Sequence, residues 1–497
     1  MDQADVDLLI VGGGINGVGI ARDAAGRGLS VLLVEKDDLA SHTSSASSKL
    51  IHGGLRYLEQ LKFKLVRESL AERERLLRAA PHIVEPLEFI LPLTRSARPA
   101  WMIRAGLFLY DHLNGRTQLR GSRSVRLDRN GLGDGLKPST SHAFSYWDCR
   151  VQDSRLVVIN AIDAAERGAM ITTRTELVDA RREGRLWIAT LRGAAGEKTV
   201  RTGALVNAAG PWVAQLSDRL SSVRRRPSIR LVKGSHIVVP RLYTGEHAFL
   251  LQIPDRRVVF AIPFEERFTL VGTTDVDWTG PPAEPIVSES EIDYLLAAIA
   301  RNFTADMSRD DIVWSYSGIR ALYDDGASDP SRVTRDYVLE LDASDGEAPL
   351  LSVFGGKITT YRRLAERALE RLAPFFPAAT GAWTKHAVLA GGDIPDMDLA
   401  GYSHRLVERY AALPSKLVTR IVRTYGTRAE RLLGEVQSVE DLGEHFGGGL
   451  HAREVDFLVS EEWACSAEDV LFRRTKLGLH VSAETADRIT AYMAGKT

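Results

Sequence analysis

The sequence predicts an α/β fold that is α+β overall, and three observations support this prediction. A strand, a glycine turn, a helix and a second strand follow one another between residues 7 and 38. Alternating apolar strands recur between residues 170 and 280, and charged helical segments without an evident strand follow from about residue 395. We therefore expect a Rossmann-like nucleotide-binding domain interleaved with an antiparallel-sheet domain, followed by an all-helical carboxyl-terminal domain.

The first glycine turn has G-x-G-x-x-G spacing, formed by Gly12, Gly14 and Gly17 after a short apolar run. Gly12 permits a tight turn, Gly14 lets the backbone approach a pyrophosphate, and Gly17 lets the helix pack on the strand. The amino end of the helix, where Asn16 lies, offers unpaired N–H groups to the same anion. Glu35 is placed to accept the ribose hydroxyls, so the pattern favours NAD or FAD over NADP.

Composition narrows the class of protein. The length of 497 residues predicts two or three domains, and the hydrophobic fraction of 44% is typical of a soluble protein. The net charge of −1 predicts no bulk affinity for nucleic acid. Cys149 and Cys465 stand far apart, and His445 and His451 near Glu444 match no metal-ligand spacing, so neither a disulfide framework nor a metal is expected. We find no signal-peptide pattern and no run long enough to span a bilayer, which predicts the cytoplasm or the cytoplasmic face of a membrane.

The Ser- and Gly-rich segment 38–58 follows the ribose acid directly, although a solvated polar loop is the alternative. Its hydroxyls and lysine are candidates to hydrogen-bond phosphates and a flavin edge, while its H-G-G triplet lets backbone lie against a planar ring. The candidate cofactor contacts in this segment are Ser44, Ser45, Ser48, Lys49, His52, Gly53 and Gly54.

Two later segments, 205–212 and 350–366, repeat the order of apolar strand, small-residue turn and helix. Each turn places backbone N–H groups at the carboxyl end of a strand, where dinucleotides and flavins bind. The candidate contacts in these turns are Ala209, Gly210, Trp212, Gly356, Lys357, Ile358 and Thr359.

The segment 91–113 mixes Arg95, Arg98 and Arg104 with Trp101, Phe108 and other large apolar residues. This mixture is typical of an interfacial membrane contact, but a core helix with basic flanks explains it equally well. Both interpretations stay open on the sequence alone.

Nine segments in order resemble the bacterial aerobic FAD-dependent glycerol-3-phosphate dehydrogenases, and they run from residue 7 to about 480. They are G-G-G-I-N-G-V-G-I-A-R-D-A-A-G-R-G (12–28), T-S-S-A-S-S-K-L-I-H-G-G-L-R-Y-L (43–58), R-P-A-W-M-I-R-A-G-L-F-L-Y-D-H-L (98–113), N-A-A-G-P-W (207–212), K-G-S-H-I-V-V-P (233–240), G-T-T-D (272–275), S-G-I-R (317–320), L-L-S-V-F-G-G-K-I-T-T-Y-R (350–362) and L-F-R-R-T-K-L-G (471–478). Ala321 departs from the family, where Pro often follows the S-G-x-R arginine.

The resemblance implies non-covalent FAD, oxidation of sn-glycerol 3-phosphate to dihydroxyacetone phosphate, and electron transfer to a membrane quinone. It also implies peripheral attachment to the cytoplasmic face of the inner membrane and a homodimer. The expected domains are an FAD-binding domain (1–95, 150–228 and 345–392), a substrate-binding domain (96–149 and 229–344) and a helical carboxyl-terminal domain (393–497).

A phosphate dianion needs fixed guanidinium groups, for which Arg320 and Arg56 are candidates, although either arginine is alternatively a structural ion pair. Alcohol oxidation also needs a base with a pKa near neutrality, and His236 is the candidate, with a hydrogen-bonded core histidine as the equal alternative. The remaining candidates for holding substrate oxygens are Tyr57, Thr273, Thr274 and Lys357.

Two other functions remain open at this point. An oxidase on the same substrate would deliver electrons to oxygen and form hydrogen peroxide, but we find no obvious long insertion of the kind such oxidases often carry. A flavin-dependent RNA-modifying or non-catalytic nucleotide-binding protein would need a broad basic surface, which the near-neutral charge does not favour.

Overall fold

The computed structural model describes residues 4–93, 98–115, 117–129, 131–138, 141–220, 229–254, 257–283, 285–323, 336–344 and 346–496. The strands of these residues are β1 Val6–Val11, β2 Val31–Val34, β3 Leu50–Ile51, β4 Val84–Pro92, β5 Arg123–Arg126, β6 His142–Val151, β7 Met170–Thr172, β8 Glu176–Glu183, β9 Leu186–Gly193, β10 Gly196–Asn207, β11 Ile229–Pro240, β12 Ala248–Gln252, β13 Val258–Phe264, β14 Phe268–Gly272, β15 Val276–Asp277, β16 Trp314–Tyr323, β17 Val338–Asp342, β18 Leu350–Phe354, β19 His445–Gly447 and β20 Leu450–His451. The α-helices are α1 Ile15–Gly26, α2 Phe63–Ala79, α3 Ala100–His112, α4 Asp153–Glu166, α5 Val213–Arg219, α6 Glu289–Asn302, α7 Tyr361–Leu372, α8 Leu399–Arg409, α9 Ser415–Tyr425, α10 Ala429–Leu433, α11 Ala452–Glu462 and α12 Ala483–Ala494.

The first sheet carries the nucleotide-binding pattern in the strand order β17-β18-β10-β1-β2-β7. β1 pairs in parallel with β2 and with β10, and β10 pairs in parallel with β18. Helices α1, α4 and α7 pack against one another around one apolar cluster. Because the strands are parallel, the three predicted turns, at the ends of β1, β10 and β18, meet at one edge of the sheet. The predicted α/β class is confirmed.

The second sheet is mainly antiparallel and runs β15-β11-β14-β13-β12-β4-β6-β3, with β16 on β11 and β5 on β6. β11 pairs along its length with β16, which sets Val232 opposite Arg320 and His236 opposite Tyr316. Five strands of this sheet, β3, β4, β5, β6 and β12, were not predicted, and in the first sheet β8 and β17 were not predicted.

The segment from residue 395 is mainly helical, with α8 to α12 enclosing a separate apolar cluster. The expectation that it holds no strand was wrong, because β19 and β20 form a short antiparallel hairpin. This hairpin is built on Gly447, Gly448 and Gly449, all with positive φ, and such a glycine run carries no strand propensity.

The division into three domains stays a prediction. The pairing of β4 with β6 places residues 84–92 in the second sheet, although the expected boundary stood at residue 95. None of the helices in the described part of the chain combines the length and apolarity needed to cross a membrane.

Candidate active site

The first glycine turn leaves no room for side chains. Gly12 has a φ of +115°, and a Cβ on it would stand 2.5 Å from the carbonyl oxygen of Ala208. A Cβ on Gly17 would stand 1.9 Å from the carbonyl oxygen of Gly12. These contacts hold β1, α1 and the turn after β10 close together, as the spacing predicts.

A cavity of about 220 Å³, which we call the nucleotide cavity, opens beside this turn. It brings together predicted contacts that follow β1, β2 and β10, whereas the predicted residues of the turn after β18 do not line it. The predicted residues that line it are Gly12, Gly14, Glu35, Ser44, Ala209, Gly210 and Trp212. The ammonium of Lys36 lies 4.2 Å from the Trp212 ring centre and closes one side.

Glu35 is nearly buried at the end of β2. Its carboxylate accepts hydrogen bonds from the N–H groups of Gly13, at 2.6 Å, and Asp37, at 2.8 Å. Burial raises the pKa of Glu35 above its ordinary value, although both N–H groups oppose the shift. The carboxyl group is thereby fixed at the wall of the nucleotide cavity, where the sequence predicts ribose contact.

The third glycine turn reaches the first through Asn16, whose amide donates to the carbonyl of Gly355 at 3.1 Å. The other side-chain atom of Asn16, its buried Oδ1, has no hydrogen-bond partner among the described residues. A Cβ on Gly356 would lie 3.2 Å from the Asn16 amide nitrogen, so only glycine leaves this approach open. Orphaned buried oxygens are rare in proteins, and a ligand that donates a hydrogen bond here would satisfy this one.

The Ser-rich segment divides its side chains between two tasks. Ser44 faces the nucleotide cavity and accepts the N–H of Ile15 at 3.0 Å, whereas Ser45 bonds back to the carbonyl of His42. Lys49 was predicted to contact the cofactor, but its ammonium bonds both carboxylate oxygens of Asp153 at 2.9 Å and is buried there. Lys49 is therefore committed to a structural ion pair.

A second cavity, of about 150 Å³, borders His52 and Gly54 of the H-G-G triplet, and we call it the arginine cavity. The polar residues that line it include His52, Arg56, Tyr57, Arg98, Arg257, Thr273 and Asp275. Arg56 and Tyr57 reach it from a 3₁₀ turn over Leu55–Leu58. Arg56 has no ion pair or hydrogen bond with any described residue, whereas Arg98 pairs with Glu59.

The H-G-G backbone is held from both sides. The N–H of His52 donates to Thr359, and the N–H of Gly53 donates at 2.8 Å to the hydroxyl of Tyr110. Tyr110 in turn donates to Asp148, which also accepts from Arg73. Tyr110 and Asp148 are buried, so this network fixes the loop that carries His52.

Arg320 is not among the residues that line the arginine cavity, but it contacts two residues that do: it pairs with the carboxylate of Asp275, and the hydroxyl of Thr273 lies 3.4 Å away. The ion-pair alternative for Arg320 is thus present in the structure. Thr274 was a candidate for substrate binding, but its hydroxyl is buried against Glu291 at 2.7 Å. Thr273 reaches the arginine cavity and Thr274 does not, because adjacent residues of an extended chain point to opposite faces.

His236 is buried on β11 and is not among the residues that line the arginine cavity. Its Nε2 lies 2.9 Å from the hydroxyl of Ser48, its ring stacks on Tyr316, and its Nδ1 has no partner among the described residues. Burial, reinforced by the charges of Arg320 and Lys49, holds the pKa of His236 well below its ordinary value. These observations count against His236 as the base; they also tie Ser48, a predicted cofactor contact, to the histidine.

Lys357 lies beside the H-G-G triplet and Tyr57. Its ammonium lies 3.9 Å from the ring centre of Tyr57, and a Cβ on Gly54 would lie 3.6 Å from it. Ile358 and Thr359 follow in a 3₁₀ turn, where Ile358 packs on the main apolar cluster. Ile358 therefore supports the turn.

Six polar residues of the arginine cavity were missed as site residues: Arg98, Arg257, Asp275, Glu59, Gln60 and Gln252. Asp275 follows Thr274 in the G-T-T-D motif, so that motif already contained the signal. No motif marks Arg257, which meets Arg98 only through the fold.

These residues fit a flavin dinucleotide: Gly12, Gly14 and Glu35 line the nucleotide cavity, and the orphaned amide oxygen of Asn16 lies at the start of the helix that follows this turn. The sequence model of the family described as FAD dependent oxidoreductase matches residues 7–362, and that described as the C-terminal domain of alpha-glycerophosphate oxidase matches residues 382–497.

Several named proteins are similar over their whole length. A glycerol-3-phosphate dehydrogenase of Pseudomonas aeruginosa is 55% identical over 488 residues, which cover 98% of this chain and 94% of that protein. The aerobic glycerol-3-phosphate dehydrogenase of Escherichia coli is 50% identical over 493 residues, covering 99% and 98%. A D-erythritol 1-phosphate dehydrogenase of Brucella abortus is also 50% identical, over 478 residues that cover 96% and 95%.

Among solved structures, the glycerol-3-phosphate dehydrogenase of Bacillus halodurans complexed with FAD superposes with a TM-score of 0.77 at 25% identity. The superposition covers 99% of this chain and 94% of that one. The L-alpha-glycerophosphate oxidase of Mycoplasma pneumoniae superposes with a TM-score of 0.58 at 17% identity over 74% of this chain and 94% of that one, which shows a shared fold.

Proposed function

Because the chain belongs to the FAD-dependent oxidoreductases, in the family of the glycerol-3-phosphate dehydrogenases, we propose that it oxidises sn-glycerol 3-phosphate to dihydroxyacetone phosphate and passes the electrons to a membrane quinone. The observation that carries this proposal is the arginine cavity, which adjoins the H-G-G triplet and is lined by three guanidinium groups. A dianionic phosphate is the ligand that such a set suits.

Arg56 is the first phosphate ligand in this proposal. It lines the cavity without a carboxylate partner among the described residues, so its five N–H donors remain available to phosphate oxygens. Arg320 is the second, because its guanidinium contacts Asp275 and Thr273, which line the cavity. Tyr57 donates a further hydrogen bond, and Lys357 orients a hydroxyl oxygen.

His52 replaces His236 as the proposed base. His52 lines the arginine cavity and is held by its own N–H bond to Thr359 and by the fixed peptide of Gly53. An imidazole nitrogen of His52 takes the hydroxyl proton of the alcohol. FAD, when bound, would supply the hydride acceptor that the oxidation requires. His236 has a supporting role in this proposal, because it lies outside the arginine cavity and is hydrogen-bonded to Ser48.

Membrane contact is proposed for α3. One face of this helix buries Ile103, Leu107 and Tyr110, while Trp101 is 74% exposed and Phe108 55% exposed. Large apolar residues exposed together mark a surface that meets lipid or a partner. Arg104 lies on the same helix, and Arg95 lies outside the described residues. The cytoplasmic face of the inner membrane and the homodimer are proposed from the family resemblance.

Sedimentation with anionic lipid vesicles tests the membrane contact. Trp101→Glu with Phe108→Glu should leave the protein in the supernatant, while Met170→Glu, which removes an equally exposed apolar residue elsewhere, should still sediment. Vesicle binding unaffected by the α3 changes would exclude this helix as the contact.

Anaerobic reduction of the purified flavoprotein tests the activity. Addition of sn-glycerol 3-phosphate should bleach the flavin band, and a quinone analogue should restore it faster than oxygen does. D-erythritol 1-phosphate is the second candidate substrate, because a dehydrogenase of that name is as similar as the Escherichia coli protein. Faster bleaching by that polyol phosphate would reassign the substrate; rapid peroxide formation in air would make the chain an oxidase, and no bleaching by either would restore the RNA-modifying or non-catalytic alternatives.

A further inference from the structure

The motif L-F-R-R-T-K-L-G at 471–478 has no part in the site described so far. Its two arginines converge on one carboxylate, that of Asp38. Arg474 donates to both oxygens of Asp38, at 2.7 and 2.8 Å, and Arg473 donates to one at 2.7 Å. The side chains of Asp38 and Arg474 are 1% and 0% exposed. Two residues of the carboxyl-terminal segment thus neutralise a buried acid that lies more than 400 positions earlier.

Asp38 belongs to residues 36–44, which we call the ribose loop. Lys36, His42 and Ser44 of this loop line the nucleotide cavity, while Asp38 points away from it into the arginines. The N–H of Ala40 bonds the carbonyl of Gly13 at 3.2 Å, which ties the middle of the loop to the first glycine turn. The loop is therefore fixed on one side by the cofactor turn and on the other by the two arginines.

The arginines are themselves held rigidly. Arg474 donates to the carbonyl oxygen of Glu462 through two nitrogens, at 3.0 and 2.6 Å. Asp469 pairs with Arg473 and, at 2.9 Å, with Arg174, whose backbone N–H donates to the carbonyl of Asp37. Desolvation opposes the charge on both groups, but their partners outweigh it: hydrogen bonds to carboxylates raise the pKa of Arg473, and hydrogen bonds from Arg473 and from a backbone N–H lower the pKa of Asp469 to about 2. Both groups therefore stay charged.

Loss of Arg474 would leave the buried Asp38 with the single hydrogen bond from Arg473, and loss of Asp38 would leave the buried Arg474 without its carboxylate partner. Removing one partner of a buried ion pair destabilises a protein far more than removing one partner of a surface pair, because the remaining charge is then buried without solvation. The carboxylate of Asp38 can become solvated if the ribose loop moves. Such movement would carry Lys36, His42 and Ser44 away from the nucleotide cavity.

We propose that Arg473, Arg474 and Asp38 are positioning residues through which the carboxyl-terminal segment holds the ribose loop in its FAD-binding conformation. The inference concerns cofactor retention and holds for any substrate of the site. If the loop is competent in a tenth of the molecules, the apparent Kd for FAD rises about tenfold.

FAD titration of the apoprotein, followed by quenching of flavin fluorescence, tests the proposal. Arg474→Met and, separately, Asp38→Asn should each raise the Kd for FAD at least tenfold, and Arg474→Lys, which keeps the charge but loses the bidentate geometry, should fall between. The control is Arg420→Met, which removes a bidentate pair with the buried Glu454 within the carboxyl-terminal segment, although the Arg420 side chain itself is 22% exposed. Arg420→Met should lower the stability of the protein and leave the Kd for FAD unchanged.

Hydrogen exchange of the apoprotein supplies a readout that needs no activity. Amides 36–44 should exchange faster in Asp38→Asn than in Arg420→Met or the parent protein. At saturating FAD the KM for substrate should return to the parent value. An unchanged Kd in both Asp38→Asn and Arg474→Met, or equal loss of FAD affinity in Arg420→Met, would overturn the proposal; if Arg474→Met fails to fold, Asp38→Asn decides alone.

Discussion

A buried histidine predicts how the protein loses stability in acid. His82 has no solvent exposure, and neither ring nitrogen has a hydrogen-bond partner among the described residues. It packs where the turn before β4 meets Gly391 and Gly426, since a Cβ on either would lie within 3.3 Å of its ring. Burial, and secondarily the charge of Arg155, lowers the pKa of His82 to about 3. His82 is therefore neutral in the folded protein.

The direction in which the free energy of unfolding changes with pH follows from the proton binding of the two states. In the unfolded chain His82 takes up a proton below about pH 6.5, whereas the folded protein does not until about pH 3, so stability is full above 6.5 and falls as the pH drops towards 3. This one group should remove about 1.2 kcal/mol of unfolding free energy between about pH 7 and pH 5.5, and then roughly 1.4 kcal/mol per pH unit.

Urea unfolding of the FAD-saturated protein at several pH values, followed by tryptophan fluorescence, measures this slope. His82→Leu should flatten the slope by that amount whatever it does to the stability at neutral pH. His404→Leu, which changes a histidine 74% exposed at its side chain, should leave the slope alone. An unchanged slope in His82→Leu would refute the reasoning.

Three further predictions concern the site. Gly17→Ala places a methyl group 1.9 Å from a backbone oxygen and should yield colourless protein, whereas Gly381→Ala, with open space around it, should stay yellow; a yellow Gly17→Ala would contradict the pyrophosphate turn. Arg320→Ala should raise the substrate KM roughly 10- to 150-fold with FAD retained, since a charged hydrogen bond contributes about 1.5–3 kcal/mol, and an unchanged KM would remove this arginine from the phosphate site. Tyr110→Phe should lower kcat and shift the pH profile of kcat, because the H-G-G loop loses a hydrogen bond. The control Tyr425→Phe breaks an equally buried hydrogen bond to a carboxylate and should lower only the melting temperature. Equal kinetics in the two variants would show that Tyr110 has only a structural role.

The sequence could predict those features that depend on residues close together in the chain. The turn at Gly12, Gly14 and Gly17 was predictable because its spacing is a local steric requirement, and the rule for parallel strands then brought the later turns to the same edge. The partner of Lys49 was not predictable, because Asp153 lies 104 positions away and no pattern links them. A motif lists charged residues but does not show which of them are neutralised by distant parts of the chain.

The choice of base shows the same limit. His236 lies on a predicted strand among apolar residues, and the sequence could not tell a buried strand position from one that opens on a cavity. His52 was assigned to cofactor contact because its glycine neighbours suggest backbone proximity to a ring. Only the fold shows that its side chain borders the three arginines.

The bond from Asn16 to Gly355 joins residues 339 positions apart. During synthesis the first glycine turn leaves the ribosome long before its partner does, so the cofactor site stays open until about three quarters of the chain has emerged. Flavin loading is then a late event in biogenesis, and a nascent chain stalled before residue 355 should capture no flavin.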